Sequence, residues 1–377
     1  MTIWRYVPLL SLLLLAACSE QQETPFTLTP AHYAQLPNWE QSDHSAALTA
    51  FLHSCSTWKN SHGDKENGCS DLKLQTRHWQ AICEQAMQVD TGDTSDVRHF
   101  FETQFTPHHV VMNGQSDGLF TGYYIPEIRG SLTRGGNYQT PVYGLPEDIK
   151  NGQPYYSRAE IYAGKLEGRG LEIAWVDDAV GLFFIEVQGS GVIRLAEGGL
   201  MTIGFAGRNH HPYVAIGRTM EKQGLLAPGN VNLFTIKDWL YDHPARAKTV
   251  MSDNPSYIFF RKLPDHNIRG AQNAPLTAQR SLAVDWRYIP YGMPIYLQTD
   301  LPETRFGPSK PFHQLMIAQD TGSAIKGGIR GDIYFGHGKH AEALASKQAT
   351  QGRYTLLLPN PLAERLDTSS IQACVKK

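Results

Sequence analysis

The sequence predicts a mainly β protein with a helical segment near its N-terminus. From about Leu119 onward, short apolar or aromatic runs are interrupted by Gly, Pro and Asn about every 8 to 15 residues, as in barrels and sandwiches. Residues 181–187 form one such run, which predicts a strand. Between Ser45 and Phe105, apolar residues recur instead at helical spacing. A length of 377 residues favours two domains.

Three helices are predicted in the first segment, each from an apolar stripe on one face. Aromatic stripes usually belong to a core, so we assign them to packing rather than to a site. A further short helix is predicted within the β region, at residues 232–241. The apolar positions of the four helices are, in chain order, Leu48, Phe51, Leu52, Cys55 and Trp58; Trp79, Ile82, Cys83 and Ala86; Val97, Phe100, Phe101 and Phe105; and Leu233, Ile236 and Leu240.

The charge composition argues against a polyanionic substrate. A formal net charge of −2 gives no general attraction to nucleic acid, and the sequence contains no run rich in Lys and Arg. Nucleic acid is therefore not expected among the partners of this protein.

The first 18 residues have the order of a secretory signal: Arg5, an apolar run at residues 7–15, and then small residues. The run is too short to span a bilayer as a mature helix. Because it ends in Leu-Ala-Ala-Cys, the segment resembles a bacterial lipoprotein signal, which implies acylation of Cys18 and stable anchoring by several acyl chains. Ser19 at the next position favours the outer membrane, facing the periplasm. An ordinary signal or a short anchor with an incidental cysteine is the alternative.

Four further cysteines, Cys55, Cys69, Cys83 and Cys374, fit no zinc-binding spacing. In an oxidising compartment they are compatible with disulfides, and four cysteines allow three complete pairings. Cys55 and Cys83 fall on the apolar faces of neighbouring predicted helices, so we predict that they pair. The two His-His pairs are not expected to chelate a metal ion, because neighbouring residues on a strand point to opposite faces.

One stretch near the C-terminus, residues 317–336, places Asp320 and Asp332 beside apolar runs. The runs predict two short strands, and the glycines between them allow turns that would carry both carboxylates to one end of the strand pair. Asp285 follows another apolar run, which a Pro and Gly turn ends. Turn formation alone explains any one such aspartate. Three of them, interleaved with basic residues such as Arg330, favour a functional site.

The two aspartate-containing stretches, together with three earlier blocks of sequence, resemble the membrane-bound lytic murein transglycosylase A family, whose members carry a three-aspartate domain. In the C-terminal part the resemblance rests on PLTAQRSLAVDWRYIPYG, AQDTGSAIKG and RGDIYFG, at residues 275–292, 318–327 and 330–336. The earlier blocks FTGYY, EVQGSG and YVAIGR follow the family's order at residues 120–124, 186–191 and 213–218. The resemblance covers the chain from about Leu119 to Leu358.

The resemblance implies a six-stranded double-psi β-barrel, a second smaller β domain inserted into it, and a groove between the two. The organisation expected on this basis is a signal peptide at residues 1–17, a tether at 18–30, the helical segment and the first part of the barrel at 31–128, the inserted β domain at 129–248, and the completion of the barrel at 249–377.

The resemblance also implies a reaction: cleavage of the β-1,4 bond between N-acetylmuramic acid and N-acetylglucosamine in peptidoglycan. No cofactor is expected. The 6-hydroxyl of N-acetylmuramic acid closes a 1,6-anhydro ring, so one carboxyl group can act first as acid and then as base. The family's catalytic acid matches Asp332, whose apolar chain neighbours would keep water away. Asp320 and Asp285 are expected to support the site.

A glycan groove needs flat apolar surfaces for sugar faces and polar groups for hydroxyl and acetamido groups. The candidates in the family-like blocks, each of which could instead pack in the core or cap a turn, are Tyr123, Tyr124, Gln188, Ser190 and Tyr334. Two other functions stay open: hydrolysis of β-1,4 glycans, which needs a second carboxylate, and non-catalytic glycan binding, as in expansin-like barrels. The sequence does not indicate partners among wall-synthesis proteins.

Overall fold

A computed structural model describes residues 26–374 of the protein, apart from residues 151, 265–267, 323 and 369. Cys18 and the predicted signal peptide lie outside the described residues. In the part of the chain that is described, we find no helix with the length and apolar character needed to cross a membrane.

The helices and strands follow the chain in the order β1 (Phe26–Pro30), a 3-10 helix (Tyr33–Gln35), α1 (Ser45–Trp58), β2 (Glu66–Asn67), β3 (Leu74–Gln75), α2 (Thr76–Ala86), α3 (Thr94–Gln104), β4 (Phe105–Met112), β5 (Gly118–Ile125), β6 (Glu127–Ser131), β7 (Thr140–Tyr143), α4 (Arg158–Tyr162), β8 (Glu172–Val176), α5 (Ala179–Gln188), β9 (Ser190–Leu195), β10 (Leu200–Arg208), α6 (Ile216–Lys222), α7 (Leu233–Asp242), α8 (Pro244–Ser252), β11 (Ile258–Lys262), β12 (Ser281–Val284), β13 (Pro294–Leu301), β14 (Lys310–Asp320), β15 (Arg330–His337), α9 (Gly338–Ala345), β16 (Ala349–Pro359) and α10 (Asn360–Ala363).

The N-terminal helical segment contains the three predicted helices, α1, α2 and α3. Their apolar faces pack against one another and against the barrel in one continuous core, in which Phe51 and Trp79 are fully buried. The third helix ends one residue earlier than predicted, because Phe105 has an extended backbone and begins β4. The helix predicted at residues 232–241 is also found, as α7, with Asn232 as its N-cap.

One disulfide lies within this segment, and a second joins it to the C-terminal part of the chain. Cys55 of α1 pairs with Cys83 of α2, with Cα atoms 5.6 Å apart, which confirms the predicted bond. Cys69 pairs with Cys374, and the Cα atoms of this pair are 5.5 Å apart. The second pairing links residues 305 positions apart in the sequence, so chain spacing could not predict it.

Removal of the first disulfide should destabilise the protein without unfolding it. In the chain-entropy description, a cross-link that closes a loop of 28 residues contributes roughly 3.5 kcal/mol by restricting the unfolded chain. The variant Cys55→Ser/Cys83→Ser should therefore lower the free energy of unfolding in urea by about this amount. An unchanged unfolding midpoint would contradict the prediction.

Six strands form a closed barrel in the order β5, β16, β13, β14, β12, β15 and back to β5. The pairs β12–β14 and β15–β5 are parallel, and the other four pairs are antiparallel. This topology agrees with the double-psi barrel that the resemblance implies. Beyond β16 the sheet continues to β4 and β1.

The first strand corrects the interpretation of residues 18–30 as a tether. Residues 26–30 form β1, which pairs with β4 along its whole length. Phe26 and Leu28 alternate with more exposed neighbours and are buried, as expected for a strand with one face on the core. The polar composition of residues 19–25 concealed this short alternating pattern.

A second sheet, built from residues 127–262, has the strand order β11, β10, β9, β6, β8, β7. Helix α5 covers this sheet, and a core that includes Ile128, Ile185 and Ile193 lies between them. Helices α6, α7 and α8 pack on the other side of α5 and form a further apolar cluster around Phe183 and Met220.

The strand predicted at residues 181–187 is wrong, because these residues lie within helix α5. The Asp178 carboxylate caps the helix by accepting from the N–H of Gly181 at 2.7 Å. Gly189 ends it with φ +83°, a left-handed conformation that glycine adopts at little cost. Because α5 is covered by the sheet on one side and by helices on the other, nearly every position is apolar. Such a short run has no periodicity that would separate a buried helix from a buried strand.

Candidate functional site

The three aspartates meet at one end of β12. Ala283 of β12 pairs with Asp320 on one side and with Asp332 on the other, and Asp285 follows the end of the strand. The sequence predicts that the runs around Asp320 and Asp332 pair with each other. This prediction is wrong, because β12 lies between the two strands and pairs with both β14 and β15. The aspartates are nevertheless brought together.

Asp332 is partly exposed, and its side chain keeps 22% of its accessible surface. Its Oδ1 accepts a hydrogen bond from Arg330 Nη1 at 2.6 Å and another from the Thr121 hydroxyl. Arg330 Nη2 also donates to Thr121 Oγ1 at 2.8 Å, so the three groups form a closed network. Among the described residues, none donates to Asp332 Oδ2.

The expected shielding of Asp332 by apolar chain neighbours is not found. Ile333 points into the core and is fully buried, whereas Asp332 lies on the opposite face of β15 beside a guanidinium. Sequence reasoning did not assign this role to Arg330. The signal was available, because residues i and i+2 lie on one face of a strand. Thr121 could not be found in this way, since it comes from β5, which pairs with β15 only in the folded barrel.

Both oxygens of Asp320 are occupied. Oδ1 accepts from the backbone N–H groups of Thr321 and Ala271, each at 2.9 Å, and Oδ2 accepts from the Tyr123 hydroxyl at 2.8 Å. Burial, together with the nearby Asp320 carboxylate, raises the pKa of Tyr123 well above its ordinary value, so this hydroxyl stays a donor. Asp320 therefore orders the tyrosine and the loop that contains Ala271.

Asp285 is the most buried of the three aspartates, with 2% of its surface exposed. Arg287 donates to it from Nε at 2.9 Å and from Nη2 at 2.5 Å, and the N–H of Gly327 donates at 2.8 Å. Desolvation alone would raise the pKa of Asp285, but the hydrogen bonds from Arg287 and Gly327 outweigh it and lower this pKa. Asp285 is thus a structural carboxylate that holds the loop before β15.

Four of the five sequence-predicted glycan-binding residues surround one cavity of about 450 Å³ between the barrel and the second domain. They are Tyr123, Tyr124, Gln188 and Ser190. Tyr334 is different: it is only 5% exposed and packs with Ile125 and Val192 where the two domains meet. Its ring lies 5.2 Å from that of Tyr123. Tyr334 therefore supports Tyr123 from behind instead of facing the cavity.

Two further cavities adjoin this one. One, of about 320 Å³, shares Tyr124 and Gln188 with it, and the other, of about 750 Å³, shares Ser190. The three cavities together form a groove along the boundary of the two domains. Lys237 of α7 reaches across the first of these cavities to Glu342 of α9 at 2.9 Å. Sequence analysis missed this bridge, because neither residue belongs to a family-like block.

Within residues 26–374, with the gaps given above, no group of three or more His, Cys, Asp and Glu side chains is arranged to hold a metal ion.

The chain matches two family profiles in sequence order. The profile described as the MltA specific insert domain matches residues 119–261, and the 3D domain profile matches residues 280–358. The first corresponds to β5 and the second sheet, and the second to strands β12 to β16 of the barrel.

Curated relatives support the same assignment. Membrane-bound lytic murein transglycosylase A of Vibrio cholerae is 35% identical over 243 residues, which are 63% of this chain and 65% of the relative. The Escherichia coli K12 protein of the same name is 33% identical over 273 residues, which are 72% of this chain and 73% of that protein.

Solved structures resemble the fold over most of the chain. MltA from Neisseria gonorrhoeae superposes with a TM-score of 0.73 at 33% identity, covering 89% of this chain and 91% of its own. E. coli MltA with bound chitohexaose has a TM-score of 0.60 at 28% identity and covers 88% and 93%. Fold and site define a double-psi β-barrel protein with a three-aspartate segment and an inserted second domain. The chain belongs to the membrane-bound lytic murein transglycosylase A family.

Proposed function

We propose that this protein is a peptidoglycan lytic transglycosylase that uses Asp332 as its single catalytic acid and base. It cleaves the β-1,4 bond between N-acetylmuramic acid and N-acetylglucosamine and leaves 1,6-anhydromuramic acid ends. The names of its relatives support action on murein, and the chitohexaose bound by the E. coli relative supports a glycan in the groove.

One observation carries the assignment: of the three aspartates, only Asp332 has an oxygen that no described residue engages. Both oxygens of Asp320 and both of Asp285 accept hydrogen bonds from the protein. Arg330 and Thr121 bind Asp332 through Oδ1 alone, so Oδ2 is open to a substrate. A single reactive carboxyl group suffices when the substrate supplies its own nucleophile.

The network around Asp332 suits two successive proton transfers. As the C1–oxygen bond breaks, the proton on Asp332 Oδ2 moves to the leaving oxygen of N-acetylglucosamine. Arg330 and Thr121 then stabilise the carboxylate that forms, since charge-assisted hydrogen bonds are the stronger ones. The 6-hydroxyl oxygen of N-acetylmuramic acid attacks C1, and its proton returns to Oδ2. The carboxyl group is regenerated and no water is consumed.

The rival hydrolase needs a second carboxylate that can act as a base or a nucleophile. Asp320 and Asp285 are the other two aspartates at this end of β12, and both oxygens of each accept hydrogen bonds from the protein. These contacts favour the transglycosylase. Digestion of purified sacculi followed by mass spectrometry separates the possibilities: anhydro ends are expected, reducing ends would indicate hydrolysis, and an absence of fragments would indicate a binding module.

We further propose that Cys18 carries a lipid anchor that holds the protein at the outer membrane, facing the periplasm. The motif Leu-Ala-Ala-Cys at residues 15–18 and the term membrane-bound in the relatives' names support this. Cys18→Ala should block acylation, so that an uncleaved or mislocalised protein accumulates. Fractionation of cells that express the variant tests this, and normal outer-membrane recovery would refute it.

A further inference from the structure

We propose that residues 67–70 and Cys374, joined by the Cys69–Cys374 disulfide, form a clamp that positions the loop at residues 285–292 and, through it, Asp332. This inference rests on the proposed function, because it takes Asp332 as the reacting group. In this scheme the clamp residues are positioning residues and do not touch the substrate.

The clamp holds the loop by its backbone. Three carbonyl groups of the loop accept hydrogen bonds from the two sides of the clamp. The bonds run from Cys374 N–H to Arg287 O (2.9 Å), from Ser70 Oγ to Tyr288 O (2.8 Å) and from Asn67 Nδ2 to Tyr291 O (2.7 Å). Asn67 is the last residue of β2, Ser70 lies in the turn that follows it, and Cys374 belongs to the C-terminal segment.

The disulfide closes the clamp, since Cys69 lies between the donors Asn67 and Ser70, and Cys374 supplies the third donor. The C-terminal segment has further ties nearby. Gln372 N–H donates to Asp71 Oδ2 at 2.8 Å, and Ile371 N–H donates to Phe26 O at 2.8 Å. Asp71 N–H also donates to Gln372 O at 3.2 Å, and Ile371 is buried in the core beside Phe26. These contacts hold residues 371 and 372, and the disulfide adds a covalent link at Cys374 itself.

The fit between clamp and loop is close. Gly68 has φ +95°, and a Cβ atom at this position would lie 2.8 Å from Cγ of Pro290, closer than real contacts allow. Only glycine lets the turn approach the loop to hydrogen-bond distance. The turn is therefore shaped to the loop at residues 285–292 and not merely adjacent to it.

From the loop, contacts continue to β15, the strand that contains Asp332. Arg287, whose carbonyl the clamp holds, binds Asp285 through Nε and Nη2. Asp285 accepts from the N–H of Gly327, and three residues later β15 begins at Arg330, the partner of Asp332. A displacement of Arg287 would therefore be passed to the segment that sets the position of the Arg330–Asp332 pair.

The two disulfides provide a matched pair of variants. Cys69→Ser/Cys374→Ser should lower kcat on soluble, uncrosslinked glycan strands by about ten-fold, since small misplacements of a catalytic group are costly. KM should change by less than about two-fold, because the groove is built elsewhere. Cys55→Ser/Cys83→Ser, which removes a cross-link between α1 and α2 only, should keep the wild-type kcat. Both variants are assayed below their unfolding temperatures.

A second variant tests the path with both disulfides intact. Arg287→Lys keeps the positive charge but loses the two-point contact with Asp285, and it should show the same fall in kcat with little change in KM. The clamp is refuted if Cys69→Ser/Cys374→Ser keeps the wild-type kcat, or if both disulfide variants lose kcat equally. The proposed function is judged separately in the same assay, by whether Asp332→Asn is inactive.

Discussion

Asp332→Asn should abolish the release of 1,6-anhydromuropeptides while leaving the fold and glycan binding intact. The amide keeps the shape of the side chain but cannot donate and retake the proton at Oδ2. General acid and base catalysis is typically worth 10² to 10⁴ in rate, so a loss of at least about 10² is expected. The measurement is the rate of anhydro product release from sacculi, together with binding of the variant to the same material.

Three further variants serve as controls for that result. Asp64→Asn alters an exposed aspartate of the helical segment, which forms an ion pair with Arg77 at 2.9 Å, and should leave the rate unchanged. Asp320→Asn and Asp285→Asn should lose less activity, or lose it together with thermal stability, because both side chains hold loops in place. A folded Asp332→Asn protein with near-native activity would show that the catalytic assignment is wrong.

Arg158→Ala should cause the largest loss of stability. Arg158 and Glu186 are 1% and 3% exposed and form an ion pair at 2.6 Å inside the second domain. The guanidinium also donates to the carbonyl groups of Asn254 and Ser256 and stacks on Phe183. Removal of one partner from a buried pair typically costs about 3 to 5 kcal/mol, because the other charge is left without compensation.

The loss caused by Arg158→Ala should grow with pH. Burial raises the pKa of Glu186 from 4.5 to about 7, although Arg158 opposes the rise. Between about pH 4.5 and about pH 7, the folded protein therefore binds a proton at Glu186 that the unfolded chain has lost. The free energy of unfolding falls as pH rises through this range. Without Arg158 the pKa of Glu186 rises further, so the variant continues to lose stability at pH values above that range. Urea unfolding at about pH 5 and about pH 8 should give the larger difference from wild type at the higher pH.

A double variant provides the control for this effect. Arg158→Met/Glu186→Leu replaces the pair with apolar side chains, and such replacements of buried pairs are often neutral or stabilising. It should recover much of the stability that Arg158→Ala loses, and its stability should depend less on pH. If Arg158→Ala were as stable as the wild type, the pair would contribute nothing to folding.

Sequence periodicity predicted the helices that have one buried face and one exposed face. The stripes of α1 and α2, visible at Phe51 and Trp79, predicted the helices and placed Cys55 opposite Cys83. Helix α5 was missed because it is buried on nearly all sides, so its residues carry no period that a short window could detect. The Cys69–Cys374 bond was missed because only the closed fold brings these residues together.

The sequence pointed to three aspartates that the fold brings together, but it did not contain their arrangement. Family-like blocks pointed to Asp332, Asp320 and Asp285, and the structure places all three at the end of β12. Which carboxylate keeps a free oxygen depends on donors from distant segments, such as Tyr123 and Gly327. No pattern within one stretch of sequence contains that information, because it arises from barrel closure.

Cleavage without water is the central claim, and isotope labelling tests it most directly. Purified sacculi are digested by the wild-type protein in water enriched in heavy oxygen, and the released muropeptides are weighed by mass spectrometry. We expect anhydro ends that contain no heavy oxygen, and no such product from Asp332→Asn. An increase in reducing ends that carry heavy oxygen, relative to undigested sacculi kept in the same water, would contradict the claim, since a new reducing end requires attack of water on the glycan.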